Sequence, residues 1–296
     1  MKIKTEQISL PILKDKEINL YIKRLDLVHQ HVSGNKWYKL KYNIIEAKSQ
    51  LKDTLLTFGG AYSNHLAATS FAAKLNGFKS IGIIRGEKNH QLNPTLIFAK
   101  SNGMDLHYLS RSDYRKKHTE ELILKLNKKF GDFYLIPEGG LNAQAIQGAS
   151  EILEKNDVQD FICCAVGTGA TMTGIINSSS ANQNIIGFPV VKDFERLENI
   201  VKEYSNKRNF KFINNYLCGG YAKITNKLVD FIVDFNIIHK IPLDAVYTGK
   251  MMMGILDLVN KDYFPKRSNI LVIHSGGLQG NQGMNNRFGL NLPHDF

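Results

Sequence analysis

Lys36 stands apart from its neighbours in the segment HVSGNKWYKLKYN, residues 31–43. It follows Ser-Gly-Asn, a turn-forming cluster, and precedes an amphipathic run that predicts a helix. The lysine then falls near the first helical turn, where the dipole disfavours a cation and lowers the basicity of the amine. A less basic amine is what a nucleophilic lysine requires. Lys39 and Lys41 lie further along the run, where a charged stem ordinarily rests on a solvated face. On this stretch alone, a turn followed by a chance lysine is the commoner case and outweighs the reactive reading.

Three further segments carry residue types that could do chemistry. In AVGTGATMTG an apolar run ends in Gly167-Thr168-Gly169, with Ala170 and Thr171 opening a helix. Exposed N–H groups and a helix N-terminus make an anion cradle. Met172 stands where a dinucleotide fingerprint needs glycine, and no Lys-Ser or Lys-Thr follows such a loop. A monoester phosphate is the best physical fit, and a tight turn without a ligand remains open. In GGAYSNH, Ser63 and Asn64 open a helix in a way that can hold a carboxylate, with His65 in its first turn; an ordinary N-cap serine is the alternative. In VYTGKMMMGILDLV, Tyr247 closes an apolar segment and precedes a helix, as an acid/base group or as a core tyrosine. The methionines read as helix packing.

The elements that must position these residues alternate in a simple way. Strands are expected at 54–60, 80–86, 105–110, 132–140, 185–191 and 269–277, with another in DFICCAVGTG. Helices are expected at 63–77, 94–103, 143–155 and 171–177. Strand, glycine turn, helix is the pattern of parallel sheets with helices on both faces, which bind ligands at the carboxyl ends of their strands. The glycine turns GGAYSN, EGGLN, GTGAT and SGG fall there.

A chain of 296 residues can hold two domains. No apolar run reaches eighteen residues, and charges interrupt the first twenty, so we expect neither a membrane span nor a signal peptide. Three cysteines give no disulfide framework and no metal spacing, which points to a reducing cytoplasm. The net charge of +11 comes from lysines spread over the whole chain, and no nucleic-acid-binding motif accompanies it. A generally basic surface follows, with no nucleic-acid partner expected.

Together these parts make one cofactor site: an amine able to form an imine, a phosphate cradle and a carboxylate clamp. Pyridoxal 5′-phosphate has an aldehyde and one monoester phosphate, and its amino-acid substrates bring the carboxylate. The sequence resembles the 1-aminocyclopropane-1-carboxylate deaminase and D-cysteine desulfhydrase family of tryptophan-synthase-β-like enzymes. The resemblance rests on KRLDLVHQHVSGNKWYKL, GGAYSNHLAATSFAAKL, IPEGGLNAQAIQGASEI, AVGTGATMTG, VYTGKMMMGILDLV and VIHSGG, in that order.

The resemblance implies an α/β fold of type II: two three-layer α/β/α domains with mostly parallel sheets and the cofactor at their interface. It implies a large domain of residues 1–45 plus 156–296, a small inserted domain of residues 46–155, and a homodimer. It assigns Lys36 to the cofactor imine, Asn64 to the cofactor 3′-oxygen, and Gly167, Thr168, Gly169, Ala170 and Thr171 to the phosphate. Ser63, Asn64 and His65 would clamp the substrate carboxylate, Tyr247 would act as acid/base or assist the nucleophile, and Tyr221 would be a second active-site tyrosine. Thr248 would face the pyridine nitrogen. Threonine there is similar to the desulfhydrase branch, whereas the cyclopropane-opening branch carries glutamate. A neutral hydroxyl makes a weaker electron sink, which favours expelling a thiolate over opening a cyclopropane. Tyr62 departs from the usual glutamine, and LQGNQGMNNRFGL lacks the usual Ala-Pro-Ala run. The expected activity is elimination from D-cysteine to a 2-oxo acid, ammonia and sulfide. Deamination of 1-aminocyclopropane-1-carboxylate is the alternative, and a non-catalytic binding module on the same fold is the third reading.

Overall fold

A computed structural model describes residues 3–88 and 91–294 of the chain. The strands are β1 (Thr5–Ile8), β2 (Asn19–Arg24), β3 (Thr54–Gly60), β4 (Lys79–Arg85), β5 (Met104–Leu109), β6 (Tyr134–Ile136), β7 (Phe161–Val166), β8 (Asn184–Pro189), β9 (Phe210–Phe212) and β10 (Asn269–His274). They form two sheets: a six-stranded sheet ordered β1-β2-β10-β7-β8-β9 and a four-stranded sheet ordered β5-β4-β3-β6. Only the β1–β2 pairing is antiparallel. The chain is thus an α/β protein with mostly parallel sheets, as the strand–turn–helix alternation predicts.

Both sheets are buried on both faces, the environment that continuous apolar strands require. Along β7, Ile162, Cys164 and Val166 enter one core, while Cys163 and Ala165 enter the other. Along β3, Leu55 packs with Leu40, Ile44 and Ala72, while Leu56 and Phe58 pack with Ile83, Tyr114 and Leu126. Each fully buried aliphatic side chain stabilises the fold by about 1.5–3 kcal/mol relative to its exposed state.

Two close approaches fix the helices that carry the site. The helix Ala143–Ala149 lies between the helix Asn35–Ser49 and the helix Ala170–Ser178. A Cβ on Gly148 would sit 1.9 Å from the Tyr38 carbonyl oxygen, and a Cβ on Gly174 would sit 2.5 Å from the Ala149 Cβ. Glycine at both positions lets the lysine helix and the cradle helix share one neighbour. The expected helix 143–155 stops at Ala149, and strand 132–140 shrinks to Tyr134–Ile136. The glycine-rich end of that strand, Glu138–Gly140, forms a 3-10 turn instead. Among the described residues, no helix is long and apolar enough to cross a membrane.

Candidate active site

The four glycine turns converge. A cavity of about 280 Å³ is lined by Ser63 and Asn64 after β3, Gly139 after β6, Gly167 and Gly169 after β7, and Ser275 after β10. This is the carboxyl-end location expected for parallel sheets. Lys36, Lys39, Tyr221 and Tyr247 also line it.

Lys36 is the second residue of the helix Asn35–Ser49 and is buried. The preceding Gly34 adopts a φ of +67°, and a Cβ there would strike the Ser275 carbonyl oxygen at 1.9 Å. Glycine therefore allows the Ser-Gly-Asn turn and the terminal Ser-Gly-Gly turn to touch, which places the lysine over the end of β10. Among the described residues, the only hydrogen bond of its Nζ runs to Asn35 Oδ1 at 3.2 Å. Burial pushes the amine down to about 8. Asn35 also donates through Nδ2 to Thr171 Oγ1 at 2.9 Å, tying the lysine turn to the cradle.

Lys39 corrects the sequence reading. It does not lie on a solvated face: it is 2 % exposed and donates to the Gly139 carbonyl oxygen. Burial, and then the neighbouring Lys36, hold its amine well below the usual lysine range. It lies one helical turn from Lys36, so the i, i+3 spacing was the available signal. Lys41, in contrast, is partly exposed and pairs with Glu151. Two buried lysines without an ion-pair partner among the described residues leave the cavity short of negative charge, a costly state that a bound anion relieves.

The glycine turn expected after the apolar run of β7 lies at the start of a helix. Gly169 caps the helix Ala170–Ser178 with a φ of +98°, a conformation side chains rarely adopt. Its turn leaves the first N–H groups of that helix without intrahelical partners. Gly167, Thr168, Gly169 and Thr171 line the cavity, while the Ala170 side chain is buried in the core and leaves only its backbone to the turn.

On the opposite wall, Ser63 caps the helix Asn64–Leu75 by accepting from the Leu66 N–H at 3.4 Å. His65 is buried, with Nε2 2.9 Å from Thr57 Oγ1 and Nδ1 without a hydrogen-bond partner among the described residues. Burial and the two lysines hold the imidazole well below its usual range, so it carries no charge at neutral pH.

Tyr247 and Tyr221 meet at 3.4 Å between hydroxyl oxygens, with Tyr247 donating and the rings edge to face. Burial, and then Tyr221, push the Tyr247 phenol well above its ordinary value. Thr248 does not line the cavity. It is fully buried, and its Oγ1 donates to Asp244 Oδ1 at 2.7 Å while accepting from the Asp244 N–H. Asp244 also accepts from the N–H groups of Val246, Tyr247 and Thr248, which caps the helix Thr248–Asn260. Tyr62 does not line the cavity either: its ring occupies the space where a Cβ on Gly283 would go, against the helix Gln279–Phe288 formed by the unusual terminal sequence.

A helix-end cradle that a Cβ would disturb, a buried amine of lowered basicity and an unmet demand for negative charge fit pyridoxal phosphate. The comparisons with known proteins agree. Residues 2–276 match the family described as "Pyridoxal-phosphate dependent enzyme". The chain is 31 % identical over 281 residues to a putative 1-aminocyclopropane-1-carboxylate deaminase of Pyrococcus horikoshii, covering 88 % of this chain and 85 % of that one. It is 32 % identical over 293 residues to the mitochondrial bifunctional D-cysteine desulfhydrase/1-aminocyclopropane-1-carboxylate deaminase of Arabidopsis thaliana, covering 88 % and 73 %. A crystal structure of an ACC deaminase homologue superposes with a TM-score of 0.83 at 28 % identity, covering 97 % of this chain and 93 % of that one. The resemblance read from the motifs is borne out, and this chain belongs to the pyridoxal-phosphate-dependent enzyme family.

Proposed function

We propose that the protein eliminates the β-substituent of a small amino acid, as D-cysteine desulfhydrases do, and releases a 2-oxo acid, ammonia and sulfide. One observation favours elimination over ring opening: among the described residues, the carboxylates around the cavity are already committed. Asp244 accepts four hydrogen bonds. Glu138 accepts from the Tyr114 hydroxyl at 2.8 Å and pairs with Lys117 at 3.3 Å. The neutral Thr248 adds none. No free carboxylate stands ready to keep a pyridine nitrogen protonated, and expelling a thiolate asks less of the electron sink than opening a cyclopropane.

Pyridoxal phosphate, when bound, supplies a ring that withdraws electrons from the substrate α-carbon. The N–H groups at the start of the helix Ala170–Ser178 would receive the phosphate, with the Lys39 amine nearby. Asn64 would meet the 3′-oxygen. Ser63 and Asn64, at a helix N-terminus, would hold the substrate carboxylate, with the neutral His65 beside them, anchored through Nε2 on Thr57 Oγ1. Lys36 would hold the cofactor, and its amine of lowered basicity would take the α-proton. Tyr247 stays protonated at neutral pH, so it would act as an acid: its hydroxyl, positioned beside Tyr221, would turn from it to deliver the proton to the departing sulfur.

Deamination of 1-aminocyclopropane-1-carboxylate is the second reading, favoured by the names of the relatives. The proposal extends to a cytoplasmic homodimer without nucleic-acid partners, in which residues 46–155 form a small domain inserted between residues 1–45 and 156–296. The test is an absorbance titration of the purified protein. A near-visible band lost in Lys36→Ala, with pyruvate released from D-cysteine, supports elimination. Release of 2-oxobutanoate from 1-aminocyclopropane-1-carboxylate instead supports the second reading. Absence of the band after adding pyridoxal phosphate would leave only a binding module on this fold.

A further inference from the structure

Tyr221 reaches Tyr247 from a loop whose backbone is held in an unusual shape. Cys218 and Ala222 have φ angles of +48° and +54°, and Gly219 and Gly220 between them have +88° and +116°. L-residues resist such angles, and the loop keeps them through its own Gly220 N–H to Leu217 carbonyl bond at 2.9 Å and Lys223 N–H to Gly220 carbonyl bond at 3.1 Å, together with contacts from outside the loop. Tyr221 itself is about half exposed. Packing from above therefore does not hold it.

The restraint comes from below, along one stripe of the helix Thr248–Asn260. At position 257, the Asp257 carboxylate accepts from the Tyr216 hydroxyl at 2.6 Å. At position 254, glycine leaves room for the Tyr216 ring: a Cβ there would lie 2.8 Å from two of its carbons. At position 250, the Lys250 ammonium donates to the carbonyl oxygens of Leu217 at 2.9 Å and Gly220 at 2.8 Å. At position 247, just before the helix, the two phenols meet. Positions 247, 250, 254 and 257 follow the three- and four-residue steps of one helical face. Residues 216–221 run along that face toward the helix N-terminus and the cavity.

Lys250 is the central fastener. It is 1 % exposed and forms no ion pair among the described residues; the two carbonyls are its hydrogen-bond acceptors. It does not line the cavity. A buried ammonium held by two carbonyls three residues apart fixes the turn between them, and Tyr221 is the next residue.

We propose that Lys250 is a positioning residue for the reaction, acting through the 217–220 turn to hold the Tyr221 hydroxyl on Tyr247. The inference rests on the proposed part played by the two tyrosines. Its test is a double-mutant cycle on the cofactor-loaded enzyme with Lys250→Met, Tyr221→Phe and the pair. Displacing a catalytic partner by an ångström costs up to about a hundredfold in rate. Lys250→Met should lower kcat by about ten- to a hundredfold, with a smaller change in KM and an unaltered cofactor band. The double variant should be no slower than the slower single variant, because both remove the same contact. Tyr216→Phe, which releases only the far end of the strap, should lower kcat by a few-fold in the same direction, and it reads the strap without disturbing the buried lysine. Additive losses in the double variant would overturn the proposal, as would a lower melting temperature at unchanged kcat in Lys250→Met. An unchanged kcat in Tyr221→Phe would overturn it too, while an intact cofactor band and product release would leave the elimination chemistry standing.

Discussion

Removing the amine of Lys36 should make the cofactor-free protein more stable, because a reactive lysine is a costly one to bury. Burial lowers this amine from 10.5 to about 8. The unfolded chain therefore binds more protons than the folded chain between those two values, so stability rises with pH across that window. Below pH 8 the full penalty is present, about 3 kcal/mol. At pH 10 most of it has gone, leaving about 1 kcal/mol. Lys36→Met keeps the length of the stem and forfeits one hydrogen bond to Asn35, worth about 1 kcal/mol. Urea denaturation of the cofactor-free proteins should then show Lys36→Met more stable by about 2–3 kcal/mol at pH 7. The advantage should shrink to zero or below at pH 10. A variant that is less stable at pH 7, or a gap that ignores pH, would refute the claim that desolvation tunes this lysine.

Other perturbations test the supports of the site. Gly169→Ala forces a side chain into a φ of +98° and against Ile200 at 3.2 Å, at a cost of about 1–3 kcal/mol; cofactor affinity measured by absorbance titration should fall at least tenfold. Lys39→Met removes a buried cation beside the cradle and should weaken pyridoxal phosphate binding by about 10–100-fold, whereas Lys41→Met, on a partly exposed ion pair, should leave it unchanged. Gly148→Ala would drive a Cβ into the Tyr38 carbonyl and separate the lysine helix from its neighbour; thermal denaturation should report a loss of about 3 kcal/mol, accompanied by slower attachment of the cofactor. Tyr247→Phe should keep the cofactor band and lose about 10²–10⁴ in the rate of 2-oxo acid release, since it removes the proton donor alone.

Much of this protein is written in local sequence. The apolar runs of β3, β7 and β10, the glycines that end them and the serine and asparagine that open the following helix identify a parallel α/β fold. They also identify the strand ends where a ligand binds. Lys36 was legible because a cation in a first helical turn contradicts the dipole, and such a contradiction is a local property. The short strands β1, β2 and β9 were not legible. β1 and β9 are edge strands of three or four residues, and β2 mixes charge with apolar residues because Lys23 and Arg24 are buried in ion pairs with distant carboxylates.

What only the tertiary structure decided is how segments far apart in the chain meet. Lys39 reads as a surface lysine until the Gly139 turn closes over it, some hundred residues away. Thr248 reads as a site residue until Asp244 is seen to claim its hydroxyl. Lys250 carries no mark of burial in the sequence; its acceptors come from the 217–220 turn laid over it. Sequence periodicity records which face of an element is apolar. A polar side chain carries no such signature of burial, because what permits its burial is a partner supplied by another part of the fold.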